Sequence, residues 1–247
     1  SLAKKLKNKN FVIDIGSNDG ILLKPLKKNG VRCLGIDPSI NVGRIANKRG
    51  YETLINFFDH YTVNKVIKKY GKPDTIVASS VVTHLEDPLS FAKNIRKLIS
   101  TNGELIIEIE YFANFIKNLE YERFYFDRPF YYSANSIKEL FRNVGMKLYD
   151  IEKIEPHGGS LRCFIKNSLN TKISNRCKKI LNNEKQNLNL NAFKKFNKQI
   201  YKNSKILKAQ LNYFNKKGYN IIGYGAPARV STITNVAKID SSLIKYI

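Results

Sequence analysis

The first 110 residues alternate between two hydrophobic patterns. Short apolar runs that end at glycine, proline or Asn-Gly predict five buried strands. These runs are residues 11–15, 33–36, 52–55, 74–79 and 104–109. Between them lie stretches of roughly ten residues with apolar positions at i, i+3 and i+4, as in 88–99, which predict helices. Because strands alternate with helices and are apolar on both faces, the pattern predicts a parallel sheet of the α/β class, covered on both sides.

The pattern changes after residue 110. Residues 111–133 are dense in aromatic side chains without a clear period, which is typical either of a lid or substrate wall or of a packed aromatic subdomain. The elements predicted beyond it are a helix over 135–144, strands over 146–154 and 160–166, a long helix or helix pair over 173–217, and a strand, glycine-rich turn and helix over 221–234. We expect the strands over 146–154 and 160–166 to close the sheet as an antiparallel pair.

Composition limits the location and the partners. The chain has 247 residues, 43% of them hydrophobic, which is enough for a full-sized globular core. No apolar run is long enough to span a bilayer and none follows the basic N-terminus, so we expect no membrane span, no secretory signal and a cytoplasmic location. Three widely spaced cysteines predict neither a disulfide framework nor a zinc cluster. The net charge of +23 would suit nucleic acid, an anionic membrane surface or a polyphosphate, but the lysines are scattered and identify no partner.

The turn after the first predicted strand is glycine-rich and acidic. In "FVIDIGSNDGILLKPL", residues 11–26, Asp14 precedes a turn made of Gly16, Ser17, Asn18, Asp19 and Gly20. Such a turn brings the backbone close to a ligand, but the two carboxylates would repel a dinucleotide pyrophosphate. The third glycine of the dinucleotide motif and the Gly-Lys-Ser/Thr of a P-loop are both missing. These features favour a cofactor with cationic groups, namely S-adenosylmethionine, and indicate these six residues as its binding residues.

Other candidate residues follow the remaining strands. Asp37 ends the second strand about twenty residues past the turn, where an acidic residue accepts ribose hydroxyls; it is also placed to cap the helix after Pro38. Phe57 or Phe58 would stack on the adenine, or else belong to the core. The fourth strand leads into "SSVVTHLEDP", which directs Ser79, Ser80 and His84 to the cleft.

At these residues a resemblance to a known family is visible. The segments that carry it are "DIGSNDGILLKPL", "GIDPSINV", "SSVVTHLED", "EIEYF", "HGGSLR" at 157–162 and "GYGAPARVSTITN" at 223–235. In this order, over nearly the whole chain, they resemble the S-adenosylmethionine-dependent sugar C-methyltransferases. That family acts on nucleotide-linked sugars in antibiotic and surface-polysaccharide (capsule) pathways.

The resemblance implies an architecture and site roles. It implies a class I methyltransferase domain, a Rossmann-like doubly wound sheet, over 1–166, a helical connection over 167–218, and a partial Rossmann-like segment over 219–247. It places the turn at the methionine part of the cofactor and Asp37 at the ribose. It places His157, Gly158, Gly159, Ser160 and Arg162 near the substrate. Arg162 would pair with a phosphate, or would be a surface arginine on a strand edge. The implied product is S-adenosylhomocysteine, and no metal is expected.

The chain departs from the family in three ways. The N-terminal zinc-binding segment is absent, and the C-terminal domain stops at residue 247 where its second strand is expected, so it is either naturally minimal or cut. Where the family has Tyr-His-Glu-His, this chain has Tyr125-Phe126-Asp127-Arg128. Arginine stays protonated and cannot remove the proton next to a sugar ketone, although it can bind a phosphate or an oxyanion.

The missing histidine leaves the base and the acceptor atom open. His84 and His157 are candidates for the base, and Tyr125 or Asp127 would serve only with a shifted pKa. Because a hydroxyl acceptor needs little base assistance, we expect O-methylation at least as much as C-methylation of a small nucleotide-linked substrate. The alternatives are an RNA methyltransferase, although no RNA-binding motif supports nucleic acid as a partner, and a catalytically degenerate scaffold subunit. The oligomeric state is open.

Overall fold

The computed structural model describes residues 2–246 and contains a seven-stranded sheet of order β3-β2-β1-β4-β5-β7-β6. The strands are β1 Phe11–Ile15, β2 Arg32–Ile36, β3 Thr53–Leu54, β4 Thr75–Ser79, β5 Glu104–Glu110, β6 Lys147–Ile154 and β7 Ser160–Lys166. The first five strands are parallel, whereas β7 lies antiparallel to both β5 and β6. The predicted α/β class, the five buried strands and the antiparallel closing pair are therefore confirmed.

Helices form most of the rest of the described chain. They are α1 Leu2–Leu6, α2 Leu23–Lys28, α3 Ile40–Lys48, α4 His60–Tyr70, α5 Pro88–Leu98, α6 Phe112–Asn118, α7 Ala134–Arg142, α8 Asn175–Asn187, α9 Leu190–Lys216 and α10 Val230–Ala237. The region 173–217 is thus a pair of helices, one of the two predicted alternatives. Among residues 2–246, no helix combines the length and the apolar character needed to cross a membrane.

The core of the sheet follows from the alternation of side chains along its strands. On one face Val12, Val77, Ile106 and Phe164 pack with Leu6 of α1 and Leu26 of α2. Aspartates fix the starts of the helices after β3 and β4, since Asp59 accepts from Thr62 N at 2.8 Å and Asp87 accepts from Ser90 N at 2.9 Å. These caps determine where the chain leaves the carboxyl edge of the sheet, which is the edge where such folds bind ligands.

The described chain divides into two compact units. The first, which we call the sheet unit, contains the residues up to Tyr111 together with Pro129–Asn182. The second, which we call the aromatic unit, contains Phe112–Arg128 and the residues from Asn183 onward. The predicted domain boundaries at 166 and 218 stay a prediction.

The aromatic unit has a core of phenylalanine rings. Phe112, Phe115 and Phe124 contact one another with ring centroids 6.2–6.4 Å apart. Phe193 and Phe196 of α9 join them at 6.0 and 6.2 Å. Of the two interpretations of residues 111–133, these contacts support a packed aromatic subdomain for residues 112–124. The helix α10 also contacts this core, since its Thr232 Oγ1 donates to the Phe124 carbonyl at 2.7 Å.

The strand predicted at the start of 221–234 does not form as a strand. Ile222 instead makes an isolated parallel bridge with Tyr246, with Gly223 N donating to the Tyr246 carbonyl at 2.8 Å. A single bridge supplies too few hydrogen bonds to order a strand. The predicted helix does form, as α10.

Candidate cofactor and substrate site

The glycine-rich turn after β1 has a backbone that few residues other than glycine tolerate. Gly16 and Gly20 have φ of 73° and 87°, and Asn18 between them has φ of 50°. A Cβ added at Gly16 would lie 2.6 Å from Val81 Cγ2, and one added at Gly20 would lie 2.6 Å from the Tyr51 ring. Both glycines are therefore required for the turn to stay this close to the sheet edge.

Asp37 joins the turn to the end of β2. Its side chain is buried, and its Oδ2 accepts from Asn18 N at 2.9 Å while its Oδ1 accepts from Ser39 N at 2.8 Å. Asp37 therefore bonds to the backbone of Ser39, the N-cap residue of α3, and is not itself the N-cap that the sequence predicted. Each carboxylate oxygen has a second lone pair, so these bonds leave acceptor capacity for ligand hydroxyls.

Asp14, at the end of β1, is the second buried carboxyl of this region. Burial, followed by the negative charges of Asp37 and Glu108, raises the pKa of Asp14 from 3.8 to about 8. The ionised form of Asp14 would therefore be stabilised by a cation at this position. Ser17 Oγ is buried without a hydrogen-bond partner among residues 2–246, which leaves a donor and an acceptor for a ligand or a water molecule. A cationic, hydrogen-bonding cofactor fits these groups.

The remaining candidate residues lie at or after the ends of β3 and β4, and they differ in how exposed they are. Phe57 is 73% exposed, whereas Phe58 packs edge-to-face on Phe91 of α5 with centroids 5.4 Å apart. Phe57 is therefore the phenylalanine available for stacking, and Phe58 contributes to the packing of α5. Ser79 is half-buried at the end of β4, and His84 is exposed in the helical turn Val82–His84 that follows.

The turn between β6 and β7 contains the His-Gly-Gly-Ser segment. His157, Gly158 and Gly159 all have positive φ, of 58°, 78° and 113°. The His157 side chain is half exposed, and its Nδ1 lies 3.9 Å from Oε1 of buried Glu110 at the end of β5. Ser160 is buried and its Oγ donates to the Pro156 carbonyl at 2.9 Å, which closes the turn.

Arg162 has contacts that differ from both predicted roles. Its Nε and Nη2 donate to Glu108 Oε1 at 2.7 and 2.6 Å, and its Nη1 donates to Glu152 Oε2 at 3.3 Å. The register explains this arrangement, because Arg162 of β7 lies directly between Glu108 of β5 and Glu152 of β6. The guanidinium is thus held by carboxylates within the sheet, on an internal strand, rather than presented to a phosphate or located at an edge.

The remaining predicted residues belong to the aromatic unit. The Arg128 guanidinium carbon lies 5.3 Å from the centroid of the Tyr125 ring, a cation–π contact. Asp127 is exposed. The catalytic roles of Tyr125 and Asp127 and the substrate-binding role of Arg128 stay predictions.

The sequence-based candidates did not include Glu108, Glu110 or Glu152. The signal for the first two was the strand "ELIIEIE" itself, since carboxylates inside a strand that is apolar on both faces need a partner. Among residues 2–246, no group of three or more His, Cys, Asp or Glu side chains is arranged to hold a metal ion.

Comparison with known families identifies two matching regions. The model of the methyltransferase domain family matches residues 1–151, and that of the C-methyltransferase C-terminal domain family matches residues 155–247. The C-methyltransferase NovU of Streptomyces niveus is 26% identical over 154 residues, which cover 62% of this chain and 37% of the relative. The chain therefore matches little more than a third of that protein's length. The ubiquinone biosynthesis O-methyltransferase of Coxiella burnetii is 24% identical over 162 residues, 59% of this chain and 67% of the relative.

Solved structures share the fold. Magnesium protoporphyrin IX methyltransferase (ChlM) from Synechocystis, with bound SAH, has a TM-score of 0.53 at 16% identity and covers 68% of this chain and 78% of its own. A SAM-dependent methyltransferase from Methanosarcina mazei has a TM-score of 0.54 at 13% identity and covers 68% and 97%. Both similarities concern the arrangement of the sheet and its helices.

Proposed function

The chain belongs to the methyltransferase domain family, and from this premise we propose that it transfers a methyl group from S-adenosylmethionine to a nucleotide-linked sugar or a related small nucleotide-linked intermediate. The observation that carries the proposal is the carboxylate arrangement at the carboxyl edge of β1 and β2. Asp14 and Asp37 are buried there beside a turn that has no room for a side chain at Gly16 or Gly20. Such a site favours a cationic ligand with hydroxyl groups over a pyrophosphate.

Different residues of the sheet unit would bind different parts of the cofactor. The turn Gly16–Gly20 and Asp14 would hold the amino-acid part, Asp37 the ribose hydroxyls, and Phe57 the adenine. Ser17 and Ser79 would contribute further hydrogen bonds. The bound cofactor supplies an electrophilic methyl group and keeps the electron pair of the broken carbon–sulfur bond. The protein's contribution is to align the acceptor with that methyl group and to remove its proton.

The substrate class is supported by the order of motifs and by the C-terminal match. The His-Gly-Gly-Ser turn joins β6 to β7 at the carboxyl end of β5, and β5 lies beside β4, whose last residue is Ser79. A backbone without side chains at Gly158 and Gly159 allows a sugar to approach closely. A phosphate-binding role for Arg128 stays a prediction from the sequence, based on the ability of a guanidinium to bind phosphate.

Two acceptor atoms are compatible with this site. Carbon is favoured by the match of residues 155–247 to the C-methyltransferase C-terminal domain. Oxygen is the second candidate, because Arg128 stands where the resembling family has the histidine of its Tyr-His-Glu-His motif. Transfer to carbon needs a base strong enough to form an enolate, whereas transfer to a hydroxyl does not.

Labelled cofactor tests both atoms in one experiment. S-adenosylmethionine with a carbon-13 methyl is incubated with the protein and a panel of nucleotide-linked sugars, nucleotide-linked keto-sugars and RNA, and the product is read by carbon NMR. We expect a C-methyl signal with a keto-sugar; a methoxy signal would establish oxygen as the acceptor. Transfer to RNA with a steep salt dependence would overturn the proposed substrate class.

The cofactor site has a separate test. Replacing Asp37 with Ala removes acceptors for two hydroxyls, and charge-assisted hydrogen bonds contribute roughly 1.5–3 kcal/mol each. We expect S-adenosylhomocysteine to bind at least tenfold more weakly by calorimetry. Asp74→Ala, which removes an aspartate that accepts from the backbone of Asn10 instead, is the control for a general loss of charge. Unchanged affinity in Asp37→Ala would remove Asp37 from the site.

A further inference from the structure

Glu110 and His157 come together from two different elements at the carboxyl edge of the sheet. Glu110 is the last residue of β5, and its side chain is only 7% exposed. His157 lies in the turn before β7, with half of its side chain exposed and its Nδ1 3.9 Å from Glu110 Oε1. One ring nitrogen therefore faces a buried carboxylate, while the exposed part of the ring is accessible to a ligand.

The backbone around His157 is held in a conformation that favours this contact. Three successive residues with positive φ are rare. His157 adopts a positive φ although, unlike glycine, it has a side chain that disfavours this conformation. Gly159 fixes the turn at both of its backbone groups: its N–H donates to the Glu155 carbonyl at 3.2 Å, and its carbonyl accepts from Tyr111 N at 3.3 Å. The second bond ties the turn to the residue directly after Glu110. Backbone strain that the surroundings maintain is characteristic of functional sites.

We propose that His157 is the catalytic base of the methyl transfer and that Glu110 is the residue that positions it. The carboxylate of Glu110, 3.9 Å from Nδ1, favours the imidazole proton on that nitrogen electrostatically, so that Nε2 presents its lone pair to the acceptor. His157 Nε2 then takes the acceptor's proton, and the electron pair released on the acceptor forms the new bond to the methyl carbon. The electron pair of the carbon–sulfur bond stays on the sulfur of the cofactor. This inference rests on the proposed function.

The pair of His157 and Glu110 would supply the histidine base that the Tyr125–Arg128 segment lacks. A neutral imidazole oriented by a carboxylate is the usual base for enolisation near neutral pH. Charged residues further along the neighbouring strands include Glu108, Arg162, Glu152 and Lys153. The first three are bound to one another in the sheet, which leaves Glu110 as the carboxylate recorded next to His157.

The first test needs no substrate. Long-range proton–nitrogen NMR spectra of the folded protein report which ring nitrogen of a neutral histidine carries the proton. The chain has three histidines, so His157→Ala assigns the signal by its disappearance. We expect the Nδ1–H tautomer of His157 to dominate in the native protein and to fall to a minor population in Glu110→Gln. Glu155→Gln removes an exposed carboxylate from the same turn and should leave the tautomer unchanged. An Nε2–H tautomer in the native protein would overturn the proposal.

The second test uses transfer to the acceptor identified with labelled cofactor. We expect kcat to fall about 10²- to 10⁴-fold in His157→Ala, with recovery on addition of free imidazole, and about tenfold or more in Glu110→Gln. The KM for S-adenosylmethionine should change little in either variant, and Glu155→Gln should match the native protein. An unchanged kcat in His157→Ala would refute the base while leaving the methyltransferase function intact. If every acceptor failed, the proposed function would be at fault, and the tautomer measurement would still decide on the pair.

Discussion

Buried carboxyl groups have different partners in the two halves of the sheet's carboxyl edge. On the cofactor side, the recorded hydrogen bonds of Asp37 come from backbone N–H groups, and Asp14 is close to two other acids. On the acceptor side, Glu108 and Glu152 share the guanidinium of Arg162. Backbone amides neutralise a carboxylate only partly, whereas an arginine offsets one full negative charge, and Lys5 and Arg176 add further cations at Glu152. The difference indicates that the carboxyl groups on one side are left for a cationic ligand to pair with, whereas those on the other side are paired with cations of the protein.

The substitution with the largest expected effect on stability removes the compensating cation, Arg162. Arg162→Leu would leave Glu108 without its cation, while Glu152 keeps Lys5 and Arg176, and breaking a buried ion pair costs roughly 3–5 kcal/mol. Its side chain is only 14% exposed, so solvent screens this interaction little. We expect the free energy of unfolding to fall by about that amount, measured by urea denaturation.

An exposed arginine provides the matched control for Arg162. Arg49 pairs with Asp19 across 2.5 Å, but its side chain is 55% exposed. Arg49→Leu should change the free energy of unfolding by less than about 1 kcal/mol. If Arg162→Leu were equally mild and mainly raised the KM for the nucleotide-linked substrate, Arg162 would be a phosphate ligand after all.

The second test concerns Asp14, on the cofactor side, and the pH dependence of the free energy of unfolding. Asp14 keeps its proton up to about pH 8 in the folded protein without cofactor, against an ordinary value of 3.8 for its pKa. Its contribution to stability is therefore fully present below about pH 4 and is lost as the pH rises through about 8. Asp14→Asn resembles the protonated form and removes this loss. We expect the variant to gain on the order of a few kcal/mol over the native protein between pH 4 and 8.

The measurement for Asp14 is denaturation at a series of pH values, with and without S-adenosylhomocysteine. The native protein should be stabilised more by the ligand than Asp14→Asn, because the ligand's ammonium group stabilises the ionised carboxylate. The same pH dependence in both proteins would show that the pKa of Asp14 is not raised in the folded protein.

Sequence patterns predicted the positions of residues at the ends of β1 and β2 better than the pairing of residues across β5, β7 and β6, for a physical reason. Asp14 and Asp37 each follow a strand in a βαβ unit, where position along the chain determines position at the sheet edge. The partners of Arg162 depend on the order β5-β7-β6 and its register, which join residues 54 and 10 positions away. Periodicity predicted the antiparallel strands but did not determine which residues lie opposite each other. The same limit applies to Phe112, whose contact with Phe193 of α9 links distant parts of the chain.

The smallest test compares two adjacent phenylalanines that sequence analysis left as alternatives. Phe57 is exposed and Phe58 packs on Phe91, so the two substitutions should affect different properties. Phe57→Ala should weaken S-adenosylhomocysteine binding by about 0.5–1.5 kcal/mol, the range for aromatic pairs, with little change in stability. Phe58→Ala should lower the free energy of unfolding, since it removes a contact with α5, and should affect binding less. Calorimetry and thermal unfolding on both variants check this, and a Phe57→Ala protein that binds normally would place the adenine on other residues.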